Sequence, residues 1–328
     1  MIALITGVTG FVGSYLAEYL FANTDWDIVG MCRWRSPLDN IQSLIPEINK
    51  GGRVRLVYAD LRDGIAVREA VEQTNPTHVF HLAAQSYPKT SFASPLDTLD
   101  VNIQGTVRLL DALRKFDAEI HVCSSSEVYG RAKSIPIAED APFHPASPYA
   151  VSKVGCDLMA RHYAEAYGMR IQTTRMFTHT SARRGDVFAE SSFAKQIAMI
   201  EAGMVPPVVK VGNLKSLRTI ADVRDAVRAY HMLLTVNPIP GEVYNIGGYH
   251  TCTVGGILNT LLAMSSSKID VEVDPQRLRP VDADLQVPDC SKFMNHTGWK
   301  PEIPFEQTMR DLLSFWRDRV KTCTVLNR

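Results

Sequence analysis

The sequence predicts an α/β protein built on a doubly wound parallel sheet, and three observations carry that expectation. Short, β-branched runs alternate with amphipathic stretches through roughly the first 125 residues. The runs are almost continuously apolar, as strands covered on both faces require. The first run leads into a glycine-rich turn that opens a helix, the arrangement of a nucleotide-binding βα unit.

The elements follow in order. Strands are predicted at 2–6, 27–32, 53–59, 77–82 and 119–123, with helices at 11–22, 62–74 and 97–115. Leu16, Tyr19 and Leu20 share one face of the first helix. Four prolines (Pro136, Pro142, Pro145, Pro148) make 131–148 a loop. A helix over 148–167 stops at Gly168, and a strand covers 169–176. Beyond it, helices are expected at 190–202, 222–235, 254–265 and 305–321, and strands at 208–211, 242–246 and 269–273. Prolines at 206, 207, 238, 240, 275 and 280 separate them. No repeat or low-complexity tract interrupts the pattern. The expected division is a dinucleotide-binding domain over 1–176 with parts of 208–250, and a smaller, interleaved α/β substrate lobe over 177–328.

Composition limits the function. Of 328 residues, 35 are Lys or Arg and 35 are Asp or Glu, so the formal charge is zero and no dominant nucleic-acid or anionic-membrane surface is expected. No apolar run reaches the length of a bilayer span. The apolar first six residues lack the basic start of a signal peptide. The six cysteines (Cys32, Cys123, Cys156, Cys252, Cys290, Cys323) form no C-x-x-C pair, which argues against a zinc site or a disulfide framework. No metal is expected, and a reducing, cytoplasmic setting fits best.

The turn after the first strand reads Gly7-Val8-Thr9-Gly10-Phe11-Val12-Gly13. Glycines allow a tight turn and close approach of backbone to a pyrophosphate, and the helix N-terminus supplies free N–H groups. Its G-x-x-G-x-x-G spacing differs from the usual dinucleotide fingerprint. As a bare string it could be only a turn; its place between strand and helix favours the cofactor reading. NAD-binding chains put an acid at the end of the second strand. Here the segment is Met31-Cys32-Arg33-Trp34-Arg35-Ser36. Arg33, Arg35 and Ser36 suit the 2′-phosphate of NADP; the alternative is a pair of solvated arginines.

Tyr149 and Lys153 stand four residues apart at the start of a predicted helix, so their side chains share a face. A free phenol titrates near 10, and lowering it by ~3 units needs roughly 4 kcal/mol, for which a close lysine and a bound nicotinamide cation are the expected sources. The fifth strand ends in Cys123-Ser124-Ser125-Ser126-Glu127-Val128-Tyr129-Gly130. The carboxyl end of such a strand faces the ligand crevice. The Ser125 hydroxyl there can hold a substrate oxygen while the phenol moves its proton.

With these residues in view, the chain resembles the extended short-chain dehydrogenase/reductase superfamily over nearly its whole length. The motifs are GVTGFVG, YADLRD at 58–63, HLAAQS at 81–86, VNIQGT at 101–106, SSSEVYG at 124–130 and PYAVSK at 148–153. The resemblance implies a Rossmann-like fold and an acid/base pair in Tyr149 and Lys153. It places Gly7, Thr9, Gly10, Phe11, Val12, Gly13, Asp60, Leu61, Leu82, Ala83, Ala84, Met176, His179 and Arg184 at the cofactor. Asp60 could instead be a loop cap. His78 and His81 read as strand-end histidines without a catalytic role.

Glu127 separates the chemistries. A ketone reductase needs hydride, phenol, lysine and a hydroxyl, and no carboxylate beside them. A sugar-nucleotide 4,6-dehydratase needs a group that takes the carbon 5 proton and gives one to the departing carbon 6 hydroxyl. Dehydratases carry Thr-x-Glu here; this chain has Ser125-Ser126-Glu127. The alternative for Glu127 is a salt bridge to a buried cation. In the second half, Arg183-Arg184-Gly185, Lys195, Val211-Gly212-Asn213-Leu214, Arg218 and Arg279-Pro280 resemble the nucleotide- and diphosphate-binding segments of the GDP-mannose 4,6-dehydratase family. So do AQS at 84–86, SF at 91–92 and EAYG at 165–168. The implied substrate residues are Gln85, Ser86, Ser125, Glu127, Thr178, Lys195, Val211, Asn213, Arg218, Arg279 and Asp282.

Two departures stand out: Thr178 replaces the family's asparagine, and Arg218-Thr219-Ile220 replaces Arg-Asp-Trp. They keep a dehydratase of a related sugar, such as a GDP-heptose, as an alternative. A GDP-4-keto-6-deoxy-sugar reductase or epimerase is a second, and a catalytically silent NADP-binding regulator a third. The resemblance also implies a homodimer or homotetramer. Helices 97–115 and 148–167 would form a dimer's four-helix bundle, and Arg33 and Arg35 would contribute tetramer contacts.

Overall fold

A computed structural model describes residues 1–278, 281, 283–322 and 325. The first half begins β1 (Ile2–Thr6), α1 (Phe11–Asn23), β2 (Asp27–Cys32), α2 (Ile45–Asn49), β3 (Val54–Tyr58), α3 (Gly64–Thr74) and β4 (His78–His81). It continues with α4 (Pro88–Ala93), α5 (Pro95–Leu99), α6 (Gly105–Leu113), β5 (Glu119–Cys123), α7 (Pro148–Tyr167) and β6 (Ile171–Met176). The second half starts with β7 (His179–Thr180), α8 (Ala189–Glu201), β8 (Val208–Val211), β9 (Leu217–Asp222), α9 (Val223–Thr235), β10 (Val243–Ile246) and β11 (His250–Thr253). It ends with α10 (Val254–Ala263), β12 (Asp270–Val273), β13 (Leu285–Gln286), α11 (Ser291–Thr297) and α12 (Phe305–Lys321).

Seven strands form one parallel sheet in the order β10-β6-β5-β4-β1-β2-β3. The strand order reverses between β1 and β4, and in open α/β sheets the ligand crevice opens above such a point. Successive residues of β1 face opposite sides. Ala3 and Ile5 join a core with Leu16, Leu20, Val227 and Tyr230 under α1 and α9. Leu4 joins Val67, Leu109, Leu113 and Ala160 under α3, α6 and α7. The doubly covered sheet expected from the sequence is therefore present.

A third core lies outside the sheet, where α8, α10 and α12 enclose Phe193, Ile197, Leu258, Leu261, Met309 and Leu312. On α12 the buried positions Phe305, Met309, Leu312, Leu313, Trp316 and Val320 fall on one helical stripe. Beside it, β9 pairs with β11 (antiparallel), β13 and β7 (both parallel), and β8 pairs in parallel with β12. Within the expected segment 208–250, β10 joins the large sheet whereas β8 lies in the smaller one.

Two differences from the sequence expectation bear on the site. The single helix expected over 97–115 is α5 and α6 joined by one π-helical turn, Asp100–Gln104. The extra residue turns Asn102 inward, where it is buried and hydrogen-bonded to the backbone of Gln85. β9 and β11 were not expected as strands. Strand 217–222 is short and mixed in polarity, and its conformation comes from its three partners rather than from an apolar run.

Candidate active site

The glycine turn joins β1 to α1 at the switch point. Gly7 has φ +73°, and a Cβ there would lie 2.9 Å from the Ala83 backbone. A Cβ on Gly13 would lie 2.3 Å from the Gly7 carbonyl oxygen, so helix and strand meet only because both positions are bare. Gly10 caps α1 without a side-chain hydrogen bond, and the first turn carries no acid. The N–H groups of this helix end therefore face the cleft uncompensated, which suits a pyrophosphate. Asn40 Nδ2 donates to the Thr9 carbonyl at 3.0 Å and steadies the turn.

Thr6 fixes the opposite wall. Its Oγ1 accepts the N–H groups of Leu82 (3.1 Å) and Ala83 (3.0 Å) and meets His81 Nδ1 at 2.9 Å. Thr106 donates its hydroxyl proton to the Asn102 carbonyl at 2.6 Å, so its oxygen accepts from His81 Nε2 at 3.0 Å. These partners make His81 the neutral Nε2–H tautomer. Burial, then the Lys153 charge, pushes its pKa down to about 3. The structural reading of His81 fits this network.

Tyr149 and Lys153 lie on the first two turns of α7. Pro148 occupies the helix start, and the Ser147 hydroxyl caps it by accepting from Ala150 N at 3.0 Å. Ser91 Oγ accepts from Tyr149 N at 3.1 Å, a support that the sequence did not signal. Lys153 Nζ donates to the Cys123 carbonyl at 2.7 Å. Ser125 Oγ accepts the Glu127 N–H at 3.2 Å. Burial pushes the Tyr149 phenol above its ordinary value, while Lys153 and Ser125 pull it back. The depressed phenol expected from the sequence is thus not a property of the chain alone. Burial would lower the Lys153 ammonium, but the phenol, Cys156 and Cys123 together raise it.

A cleft of about 1200 Å³ runs from the glycine turn to α12 and contains most of the expected residues. Its cofactor side is lined by Gly7, Thr9, Gly10, Phe11, Val12, Gly13, Arg33, Ser36, Asp60, Leu61, Leu82, Ala83 and Ala84. Gln85, Ser86, Ser125, Glu127, Tyr149, Lys153, Met176, Thr178, His179 and Arg184 line its middle, and Lys195, Asn213 and Arg218 its far end. Two expected residues do not line it. Arg35 is exposed beyond the end of β2, and the Val211 side chain is buried in the third core while its neighbour Gly212 faces the cleft. Arg279 and Asp282 lie outside the described residues.

Several partners refine the picture. Asp60 pairs with Arg62 at 2.8 Å, and that hydrogen bond holds its carboxyl below the usual range. Arg184 lies 3.4 Å from the Phe188 ring centroid and 5.2 Å from that of Phe11, and pairs with Glu190 at 3.3 Å. His179 stacks on Phe11, and its Nδ1 meets the Phe177 carbonyl at 3.0 Å, so Nδ1 carries the proton. Its Nε2 is buried with no hydrogen-bond partner among the described residues. Lys195 Nζ pairs with Asp186 at 2.8 Å. Arg277, which sequence reasoning missed, also lines the cleft and donates to Ser192 Oγ at 3.1 Å. Its only signal was its place two residues before the expected Arg279.

Among the described residues, no group of three or more His, Cys, Asp or Glu could hold a metal. The bare glycine turn and the uncapped helix fit a dinucleotide, and Arg33 with Ser36, both lining the cleft, fits its 2′-phosphate.

Comparison with known proteins gives a consistent result. Residues 4–312 match the family described as GDP-mannose 4,6 dehydratase. GDP-mannose 4,6 dehydratase of Drosophila melanogaster is 32% identical over 337 residues, covering 95% of this chain and 85% of the relative. GDP-6-deoxy-D-mannose reductase of Pseudomonas aeruginosa is 31% identical over 324 residues, covering 97% of each. The solved structure of RMD from Pseudomonas aeruginosa complexed with NADPH superimposes with a TM-score of 0.82 at 28% identity, covering 97% of this chain and 99% of the other.

Proposed function

The chain belongs to the GDP-mannose 4,6-dehydratase family, and from that membership we propose that it is a lyase converting GDP-mannose to GDP-4-keto-6-deoxy-mannose. The cofactor is NADP, held by the glycine turn, Arg33 and Ser36, with His179 stacked on Phe11 beside it. When bound it would supply the acceptor for a hydride from sugar carbon 4 and the source of the hydride returned to carbon 6.

The remaining work falls to side chains. Tyr149 takes the proton of the carbon 4 hydroxyl. Lys153 stabilises by its charge the phenolate that does so, which becomes the neutral phenol, and the Ser125 hydroxyl holds the same sugar oxygen. Glu127 takes the proton from carbon 5, which the neighbouring carbonyl acidifies. It then protonates the leaving carbon 6 hydroxyl, so one carboxylate serves both halves of water loss. Lys195, Asn213, Arg218 and Arg277 ring the far end, where cationic groups suit a diphosphate. The observation that carries this reading is the convergence of Ser125, Glu127, Tyr149 and Lys153 in the cleft that the glycine turn opens.

The test is incubation with GDP-mannose in heavy water, NADP supplied and no reductant. The expected product is the 4-keto-6-deoxy sugar, with deuterium at carbon 5 and no net change in NADP. The likeness to the reductase keeps a second reading: steady consumption of NADPH with a GDP-4-keto-6-deoxy sugar, and no dehydration, would establish it instead.

Assembly and setting belong to the same reading. No helix among the described residues is long and apolar enough to cross a membrane, and a cytoplasmic location follows from the nucleotide-sugar substrate. Val151 and Leu158, 47% and 48% exposed, are seven residues apart on one face of α7, and Leu96 on the adjoining α5 is 80% exposed. A homodimer through this face would cover them, alone or within a tetramer, and light scattering would measure the mass.

A further inference from the structure

Arg183 and Arg184 are neighbours with different anchorages. Arg184 lies over Phe11 and Phe188 in the cleft. Arg183 also lines the cleft but reaches along α1 to Glu18. Its φ is +67°, in the left-handed region that is costly for a residue with a Cβ. The other non-glycine residues with positive φ among those described, Asn75 and Asn237, are of the type that tolerates it. Such a conformation persists only where the surroundings over-determine it.

The surroundings here do so. Arg183 Nη1 and Nη2 donate to the two carboxylate oxygens of Glu18, each at 2.9 Å. Nη1 also lies 3.3 Å from Ser14 Oγ, and the guanidinium carbon sits 4.6 Å from the Tyr15 ring centroid. The Tyr15 hydroxyl donates to the Ala182 carbonyl at 3.3 Å, so the strap is pinned on both sides of the turn. Glu18 also accepts from Ser43, in the same segment as the Asn40 that holds Thr9. One carboxylate thus joins the strap 181–188, the cofactor helix and the segment following β2.

We infer that Arg183 is a positioning residue: clamped to Glu18, it holds the strap against α1, seats Arg184 over Phe11 and slows the release of NADP. The inference rests on the dehydratase reading. An enzyme that returns its hydride to the same sugar has no need to exchange cofactor at each turnover, whereas a reductase must release it.

The experiment loads the full chain with NADPH and chases it with excess NADP, following nicotinamide fluorescence in a stopped-flow instrument. The variants are Glu18→Gln, Arg183→Gly, Arg183→Lys and the Glu18→Gln/Arg183→Gly pair. Glycine keeps the left-handed turn while deleting the guanidinium. Loss of a partly buried, two-pronged charged pair should speed dissociation about tenfold in each of the first two variants, with lysine in between. The double variant should be no faster than either single one, because both remove the same contact. Turnover of Glu18→Gln at saturating NADP should stay within about threefold of the parent, since neither a reacting group nor a cleft-lining residue is touched.

Dissociation within about twofold of the parent, or effects that multiply in the double variant, would overturn the inference. If Arg183→Gly does not fold, Glu18→Gln decides alone. A parent chain that binds no NADPH, or turns over only by consuming it, refutes the dehydratase reading instead, whatever the variants do.

Discussion

Arg175 meets Asp157 in a two-pronged ion pair, Nε to Oδ2 at 2.8 Å and Nη2 to Oδ1 at 3.1 Å, with side chains 3% and 0% exposed. Asp157 stands one helical turn beyond Lys153 on α7, and Arg175 directly precedes Met176 at the end of β6. Arg175 Nη1 also donates to the Tyr129 hydroxyl (2.9 Å) and the Glu139 carbonyl (2.6 Å). The pair therefore locks the helix that carries Tyr149 and Lys153 to the segment that follows Glu127.

Removing one member leaves the other charged and dry. Asp157→Asn should destabilise the protein by about 3–5 kcal/mol, far more than the loss of an exposed pair. The joint replacement Asp157→Leu with Arg175→Met should cost less than the single change. Urea denaturation of the three proteins measures both, and equal stability of Asp157→Asn and the parent would show that the lock is ornamental.

Much of this was legible in the sequence because its signals are local. The glycine turn, Tyr149 with Lys153, and the strand-end Ser125 and Glu127 lie within short motifs, and the local pattern already puts them at strand ends or, for Tyr149 and Lys153, at a helix start. α12 was legible from its stripe, and α7 from Pro148 and Gly168. The supports were not legible, since they are made across the fold. Ser91 under Tyr149, Arg277 in the cleft and Asn102 turned inward by a π-helical turn depend on segments far apart in sequence. Arg35 belongs to the same motif as Arg33, and both are exposed, but only Arg33 lines the cleft.

That difference sorts the two arginines. Arg33 lines the cleft and Arg35 does not. Arg33→Ala should weaken NADP binding by about 1.5–3 kcal/mol, the range for a hydrogen bond to a charged group, and leave NAD binding almost unchanged. Arg35→Ala should shift neither noticeably. Calorimetric titration with both cofactors is the measurement, and equal losses from the two variants would count against the assignment of Arg33.

Buried histidines set the acid limit of stability. Burial, the largest cause in each case, holds the pKa of His81 and of His121 at about 3, against 6.5 for a free side chain. Both groups therefore bind protons in the unfolded chain first. Their contribution is complete above pH 6.5 and is lost as the pH falls from there toward 3. Each costs about 1.4 kcal/mol per pH unit in that window. Urea midpoints should drop steadily between pH 6.5 and 4, and His121→Gln should flatten the slope by about half of the two-histidine effect. An unchanged slope would mean that His121 is not neutral in the folded protein.

The acid/base pair predicts a shift in the rate profile. Burial holds the Tyr149 phenol high and Lys153 draws it down. The active form of Tyr149 for the first step is the phenolate, so turnover should rise with pH until that group has titrated. Lys153→Met removes the opposing cation. The rising limb should move to higher pH, and turnover at neutral pH should fall by about 10²–10⁴. Tyr149→Phe should abolish the limb altogether while NADP still binds. A Lys153→Met profile parallel to that of the parent would separate Lys153 from the phenol.

Glu127 decides between water loss and simple oxidation. Its backbone N–H is held by the Ser125 hydroxyl, and Ser125, Glu127 and Tyr149 line the same cleft, so the carboxylate is placed by the same strand end as the oxidation site. Glu127→Gln keeps the shape of the side chain and removes its ability to take a proton. Oxidation at carbon 4 needs only Tyr149, Lys153 and Ser125 and should survive, so reduced cofactor should appear on the enzyme in a single turnover. Exchange of the carbon 5 hydrogen with heavy water and formation of the 6-deoxy sugar both need the carboxylate and should fall together, by about 10²–10⁴. If deuterium entry persisted while elimination fell, a second group would have to take the carbon 5 proton, and Glu127 would serve only the leaving hydroxyl. If both persisted, the reductase reading of the cleft would gain what the dehydratase reading lost.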